Sequence, residues 1–225
     1  SLLVLGSVIV ILFWKQRKLI NNYEKQNLEQ RLLRSQMNPH FISNALNTII
    51  ALVDKNSSNT IDYTLKLSRL IRLILENSRE EFITLEDEIA TIKGYLDLQS
   101  NFSERFDYEI HYDNDIPLDS VIIPPMMIQP LIENAILHGF HNLNKKGLII
   151  VKLLKNNNSL QCEIIDNGIG FESDNQKDKP RSVSSSIIKE RLLILEKKFK
   201  TKCKLEIIAL EDGVKSILHL PYLED

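Results

Sequence analysis

The sequence is poor in cysteine: two in 225 residues, Cys162 and Cys203, in unrelated contexts and without metal-ligand spacing. That argues against a disulfide framework and a thiolate metal site, and both read as small buried hydrophobes of a reducing compartment. Charge of one sign is also lacking, since 28 Lys and Arg against 30 Asp and Glu leave a formal net charge of -2. A phosphate backbone would meet no general attraction, and the basic residues are dispersed apart from clusters after residue 14 and near residue 200. Nucleic acid is therefore not an expected partner. Internal repeats and low-complexity tracts are missing too, and 43% hydrophobic with 26% charged residues excludes a disordered or fibrous chain. The length suits one large domain or two small ones.

What is present begins with SLLVLGSVIVILFW, fourteen uncharged residues followed at once by Lys15, Arg17 and Lys18. This run has no basic flank or cleavage site of a signal peptide. It is shorter than the roughly 20 residues that cross a bilayer. Residues 1–14 are therefore expected to be the end of a transmembrane helix, with everything after about residue 15 in the cytoplasm. Residues 15–35 are polar apart from Leu28, Leu32 and Leu33, and suit a helical stalk.

A helical hairpin is expected over residues 36–83. Met37, Phe41, Ala45, Ile49 and Val53 recur every four residues, flanked by Ile42, Leu46 and Ile50, which makes a broad apolar face. After a polar turn from Asp54 to Thr60, a second helix places Tyr63, Leu67, Leu70, Ile71 and Ile74 on one face. So much apolar surface needs a partner, and two copies would close into a four-helix bundle.

A second domain is expected over residues 84–225. Thr84 suits the N-cap of a linker helix that buries Leu85, Ile89, Ile92 and Leu96, with Glu86, Asp87 and Glu88 in its first turn. Phe106, Tyr108, Ile110 and Tyr112 then alternate with polar residues, the period of a half-buried strand. Further strands are expected at Leu148–Leu153, Leu160–Ile165, Lys204–Leu210 and Val214–Leu220, with helices near 130–139 and 187–199. Asp212-Gly213 reads as a hairpin turn. The expected class is α+β: a membrane-helix end and helical hairpin, followed by an α/β sandwich.

Three segments carry chemistry. In QMNPHFISNALN, Gln36 to Asn47, Pro39 removes a helical hydrogen bond and pushes Asn38 out of the α region, so the helix is expected to kink or restart there, with Asn38 able to cap the new start. His40 stands at helical spacing from Ser43, Asn44 and Asn47, a polar stripe opposite the apolar face. A neutral imidazole nitrogen on such a face is a competent nucleophile, and Asn44, one turn along, can orient a phosphoryl group or a water. A surface histidine beside a helix-breaking proline fits equally well. In PPMMIQPLIENAILHGF, Pro124 to Phe140, Pro130 suits the first turn of a helix and Gly139 its end. Leu131, Ile132, Ala135 and Ile136 form its buried side, leaving Glu133, Asn134 and His138 on the other. The neutral oxygen of Asn134 suits magnesium, and Glu133 can serve as a base or act through a metal-bound water. A capped amphipathic helix facing solvent gives the same pattern. In DNGIGF, Asp166 to Phe171, Gly168 and Gly170 allow a tight turn and close backbone approach to a flat ligand. Asp166, at the strand end, is placed to accept a purine's exocyclic amine, although such turns also serve only to reverse a chain.

The order and spacing of the three segments resemble the LytS-type sensor histidine kinases, over residues from about 28 to 220. That family's Q-x-N-P-H-F-x-x-N-x-L-N box is met by Gln36, Asn38, Pro39, His40, Phe41, Asn44, Leu46 and Asn47. Its L-Q-P-L-x-E-N-A-x-x-H-G box is met by Gln129, Pro130, Leu131, Glu133, Asn134, Ala135, His138 and Gly139, with Ile128 in place of the leucine. The resemblance implies an ATP-binding fold of the Hsp90 and histidine kinase type, with Asp166 on adenine, Asn134 on magnesium and His40 as phosphoacceptor. It also implies that His138, Gly168, Gly170, Ser184 and Arg191 line the cofactor site, that Asn44 and Glu133 assist the transfer, and that ATP and Mg2+ are the cofactors. The expected setting is a homodimer at the bacterial cytoplasmic membrane, working with a response regulator of the LytTR type.

Two departures stand out. Where the family carries a second glycine motif, G-x-G-L, this chain reads Ser182, Val183, Ser184, Ser185, Ser186, although Glu190, Arg191 and Leu192 survive. The residue after His40 is Phe41, as in this family, rather than the acidic residue of most histidine kinases, so the base is expected elsewhere, with Glu133 as candidate. The serine run leaves open a pseudokinase scaffold that binds a regulator without ATP turnover. A free-standing ATPase would leave QMNPHF unexplained.

Overall fold

The computed structural model describes residues 13–17, 39–55, 58–103, 105–141, 143–170 and 183–225. Most of the expected membrane-helix end, most of the stalk, Gln36 to Asn38, Phe171 and Ser182 lie outside them. Residues 13–17 are helical, and no helix of the described residues is long and apolar enough to cross a membrane. The chain divides into a unit of residues 1–42 and one of residues 43–225.

Helix α1, Pro39–Asp54, opens on the proline, which loses nothing at a first helical position because its missing N–H would have no partner there. Phe41 and Ala45 are buried, Ile49 is half-buried, and Leu46, Ile50 and Val53 are exposed. Thus only part of the expected apolar face is covered. Helix α2, Asn59–Asn77, buries Tyr63, Leu67, Leu70 and Ile74, whereas Ile71 is only half-buried. The hydroxyls of Tyr63 and Thr48 hydrogen-bond between the two helices.

A two-residue strand, β1 (Ile83–Thr84), leads into helix α3 (Leu85–Ser103). Thr84 caps that helix as expected. Its Oγ1 accepts the N–H of Asp87 at 3.1 Å and donates to the Asp87 carboxylate at 2.8 Å, satisfying an otherwise orphan donor of the first turn. Helix α3 packs on α2, where Gly94 faces Leu70 and the buried Asn77 amide donates to Thr91 Oγ1 at 3.0 Å.

The main sheet runs in the order β2–β4–β5–β7–β6. Its strands are β2 (Phe106–Tyr112), β4 (Gly147–Asn156), β5 (Ser159–Asp166), β6 (Lys204–Ala209) and β7 (Val214–Pro221). Strand β2 lies parallel to β4, and the other pairs are antiparallel. Alternation sorts the side chains. Ile149, Val151, Leu153, Leu160, Cys162 and Ile164 are buried on one face, against which α3 and helix α5 (Val183–Phe199) pack, while Lys152, Gln161, Glu163 and Lys215 share the other. There the Lys215 ammonium lies 2.7 Å from the buried Glu163 carboxylate, which overcomes its desolvation and holds its pKa below the ordinary value. A second, three-stranded sheet, β1–β3–β8, uses β3 (Val121–Ile123) and β8 (Leu223–Glu224). Those pieces escaped the sequence because two or three residues show no period.

Cys162 is fully buried, but Cys203 is only half-buried and its thiol donates to the Thr201 carbonyl, so the second cysteine is not the core residue expected. Helix α5 begins at Val183, four residues before Ile187. Ser186 therefore lies within the first turn and is not its cap. Serine is tolerated there because first-turn N–H groups need no intrahelical partner.

Candidate functional site

Helix α4, Gln129–Asn134, has Pro130 in its first turn and widens at Asn134 into one π-helical turn, Ala135–Gly139. Such widened turns cluster at functional sites because they re-aim side chains at a cost in helix geometry. The segment does not present all three polar residues to solvent. Glu133 is buried at 8% exposure, Asn134 is half-buried and His138 is exposed. Ile136, expected inside, is half-buried. Burial of Glu133 follows from its neighbours: Gln129, one turn earlier, donates Nε2–H to Glu133 Oε1 at 3.0 Å, and the Glu133 carboxylate acts on the buried Tyr95 of α3, whose hydroxyl hydrogen-bonds Gln99. Burial, with the Glu133 carboxylate adding to it, pushes the Tyr95 phenol far above its ordinary value. The Oε1 atom of Gln129 is buried without a hydrogen-bond partner among the described residues.

The π-turn ends against the DNGIG turn. The Gly139 carbonyl accepts the N–H of Ile169 at 2.9 Å, and a Cβ on Gly168 would stand 2.5 Å from Gly139 Cα. The contact thus requires glycine at 168, while a Cβ on Gly139 would press on the Asp166 carboxylate at 3.0 Å. Gly213, at φ +94°, closes the cradle from the β6–β7 turn, where a Cβ would stand 1.9 Å from the Asp166 carbonyl. Gly170 also takes a positive φ, +67°, beside Gly213. Asp166 thus lies at the centre of three backbone segments, 5% exposed, its Oδ1 accepting Gly168 N–H at 2.9 Å, with Val214 N–H as a second donor. Burial raises its pKa, and those two bonds oppose the rise. A carboxylate has about four lone-pair positions, so acceptor capacity remains for a purine amine after two backbone donors. The residues fit the group: a buried acceptor at a glycine-lined turn, next to a helix that carries Asn134 and Glu133.

The sequence-predicted site divides. Asp166, Gly168 and Gly170 come together with the end of the segment that bears Glu133, Asn134 and His138. Arg191, on α5, is half-buried, and its Nη1 donates to the Met126 carbonyl at 3.5 Å. Burial lowers its pKa, opposed by Glu88. Ser184 is part of α5, but its side chain is not among those described. On α1 the stripe Ser43, Asn44 and Asn47 is exposed, as expected, and His40 occupies the second position of that helix.

Glu88 was missed. Placed by the sequence only among the first-turn acids, it is 1% exposed and accepts the N–H groups of Met126 at 2.8 Å and Ile128 at 3.1 Å. Burial raises its pKa, while those donors, the N–H of Met127 and the Arg191 guanidinium oppose the rise. The signal was its spacing, since Leu85, Glu88, Ile92 and Tyr95 recur at intervals of three and four.

The family model described as Histidine kinase matches residues 28–106. Sensor protein LytS of Staphylococcus haemolyticus is 34% identical over 206 residues, which cover 87% of this chain and 34% of that protein. Sensor histidine kinase/phosphatase LytS of Staphylococcus aureus strain MRSA252 is 35% identical over 151 residues, 66% of this chain and 26% of that protein. The chain thus spans about a quarter to a third of the length of the curated relatives it matches. Among solved structures, the blue-light activated histidine kinase of Erythrobacter litoralis EL346 superposes with a TM-score of 0.50 at 15% identity, over 87% of this chain and 60% of that one. That likeness is one of fold.

Proposed function

We propose, since the chain belongs to the LytS-type sensor histidine kinases, that it phosphorylates His40 from magnesium-ATP and passes the phosphoryl group to an aspartate of a response regulator. The observation that carries the reading is the glycine-to-glycine contact that brings the Asn134 segment against Asp166. Two boxes about thirty residues apart in sequence meet there as one site.

Bound magnesium-ATP would supply the transferable phosphoryl group and the charge neutralisation that its transfer needs. The remaining work falls to the chain. Asp166 would accept the adenine amine, Gly168 and Gly170 would let the backbone approach the ring, and the side-chain oxygen of Asn134 would be a ligand for the metal. His138, Ser184 and Arg191 are assigned to the same site by the family resemblance, Ser184 standing in the family's second glycine motif. One ring nitrogen of His40 would attack the γ-phosphorus as its bond to the bridging oxygen breaks and ADP leaves with that electron pair, and the proton on the other ring nitrogen would pass to Glu133, which Gln129 holds by one oxygen. Asn44, exposed one turn beyond His40, orients the phosphoryl group or, in hydrolysis, a water.

A homodimer is supported by the open stripe of Leu46, Ile50 and Val53 on α1 and of Ile61 and Leu65 on α2, all more than half exposed. A four-helix bundle would cover them. Attachment to the bacterial cytoplasmic membrane rests on the uncharged residues 1–14 and the basic residues after them, and a LytTR-type regulator rests on the family alone.

The test is incubation of the dimeric fragment with γ-labelled ATP and magnesium. Acid-labile label on the protein, lost in His40→Gln without loss of folding, is the expected result. No label in the natural sequence would favour the scaffold reading, and phosphate release without protein label would favour an ATPase. Label retained in His40→Gln would sink the phosphoacceptor assignment.

A further inference from the structure

Helix α4 starts without a side-chain cap of its own: Ile128, at its N-cap position, makes no such bond. The turn before it contains Met126 at φ +57°, a left-handed conformation that a non-glycine residue adopts only when its surroundings hold it there. Both polar groups of that residue are held by charged side chains from two other helices. Glu88 of α3 accepts its N–H at 2.8 Å, and Arg191 of α5 donates to its carbonyl at 3.5 Å. The second oxygen of Glu88 accepts the N–H of Ile128, so one carboxylate from outside provides the missing cap. Asn134 follows within two turns of this anchored start.

We propose that Glu88 is a positioning residue for the metal end of the nucleotide site: with Arg191 it clamps Met126, and so sets where helix α4 presents Asn134. The proposal rests on the reading of Asn134 as the metal-facing residue. It also assigns Arg191 a task that needs no contact with phosphate. Glu88 touches neither substrate nor cofactor and acts through the helix. A carboxylate is required because both its oxygens accept from N–H groups. Glutamine would turn its NH₂ toward one of those donors and lose the charge that faces Arg191.

The adenine end of the site depends on different contacts, the glycine cradle around Asp166, so the two ends can be separated by experiment. ADP binding to the dimeric fragment is measured by calorimetry with and without magnesium, alongside the magnesium dependence of labelling and the melting temperature. In Glu88→Gln, magnesium affinity is expected to fall about 10- to 100-fold, the range for groups that orient a metal ligand from behind. Magnesium-free ADP binding should stay at the natural level. A parallel loss of both affinities, in step with a lower melting temperature, would make Glu88 a stabilising residue only. No change in either would equally overturn the proposal.

If Glu88→Gln fails to fold, Met126→Gly in the same chain relieves the left-handed strain and restores folding. Magnesium affinity should nonetheless remain weakened, because the glutamine amide can accept only one of the Met126 and Ile128 N–H groups and carries no charge toward Arg191. Full recovery in that double variant would mean that Glu88 only offsets backbone strain. Asn134→Asp, run beside them, isolates the underlying reading. If it leaves the magnesium dependence unaltered, Asn134 is not at the metal and the proposal falls with that reading, whatever Glu88→Gln does.

Discussion

The helical pair α1–α2 and the five-stranded sheet handle apolar surface in opposite ways. On the sheet, Ile149, Leu153, Leu160 and Leu218 are completely buried beneath the helices of their own chain. On the helical pair, Leu46, Ile50, Val53, Ile61 and Leu65 remain more than half exposed. The sheet region completes its core within one copy, whereas the helical pair leaves an apolar stripe that only another surface can cover. Soluble proteins seldom leave apolar residues aligned at helical spacing in water without a partner. On the proposed function, nucleotide binding is then expected of one copy, and phosphoacceptor presentation of two.

The largest expected effects break the sheet side. Gly213→Ala places a methyl group against the Asp166 carbonyl at a positive φ, so a loss on the order of 3–5 kcal/mol is expected, read from urea unfolding. An unchanged midpoint would mean that the cradle is loose. Next in size, Glu133→Gln should lower the labelling rate by about 10²–10⁴-fold while ADP affinity stays level. Loss of nucleotide binding instead would make Glu133 structural.

The helical side is probed by Ile50→Asp, which puts a charge in the open stripe. Sedimentation should show a dimer weakened by about 100-fold, the scale of burying an unpaired polar group, with unfolding of the sheet region unaltered. A dimer of natural affinity would locate the interface elsewhere. The smallest effect sharpens the comparison from within the site. Burial holds the Asp166 pKa above its ordinary value, so folding makes protonation easier than it is in the unfolded chain. The cost of its charge is absent below the ordinary carboxylate range and is fully felt above the raised value. Asp166→Asn should therefore abolish adenine binding yet melt slightly higher than the natural protein at pH 7–8, with the advantage vanishing toward pH 4. A lower melting temperature throughout would mean that the carboxylate's bonds outweigh its desolvation.

Periodicity made the helices and long strands legible. Alternation from Phe106 to Tyr112 and the four-residue recurrence from Phe41 to Val53 are direct prints of strand and helix geometry. Thr84 as a cap and Asp212-Gly213 as a turn were readable because each answers a local backbone need. What escaped was either too short to show a period, as with β1, β3 and β8, or decided by a distant partner. Glu88 looks like an ordinary first-turn acid until the turn at Met126 arrives from thirty-eight residues away. Glu133 looked solvent-facing because a polar residue on an amphipathic helix usually is, and only Tyr95 and Gln129 show otherwise. The serines of α5 read as a broken glycine motif, and a serine's backbone continues a helix as readily as it forms a loop.

One residue more than an α-turn is accommodated between Ala135 and Gly139. Each residue of a regular helix advances the chain by about 100° around the axis, so that extra residue fixes the angular phase at which Gly139 meets Gly168. Deleting Ile136 or Leu137 would leave every named residue of the box present but rotate the segment's end by roughly a quarter turn. The box is thus a spacing as much as a composition. A homologue one residue shorter there should be expected to have lost the contact even where its asparagine, histidine and glycine all remain.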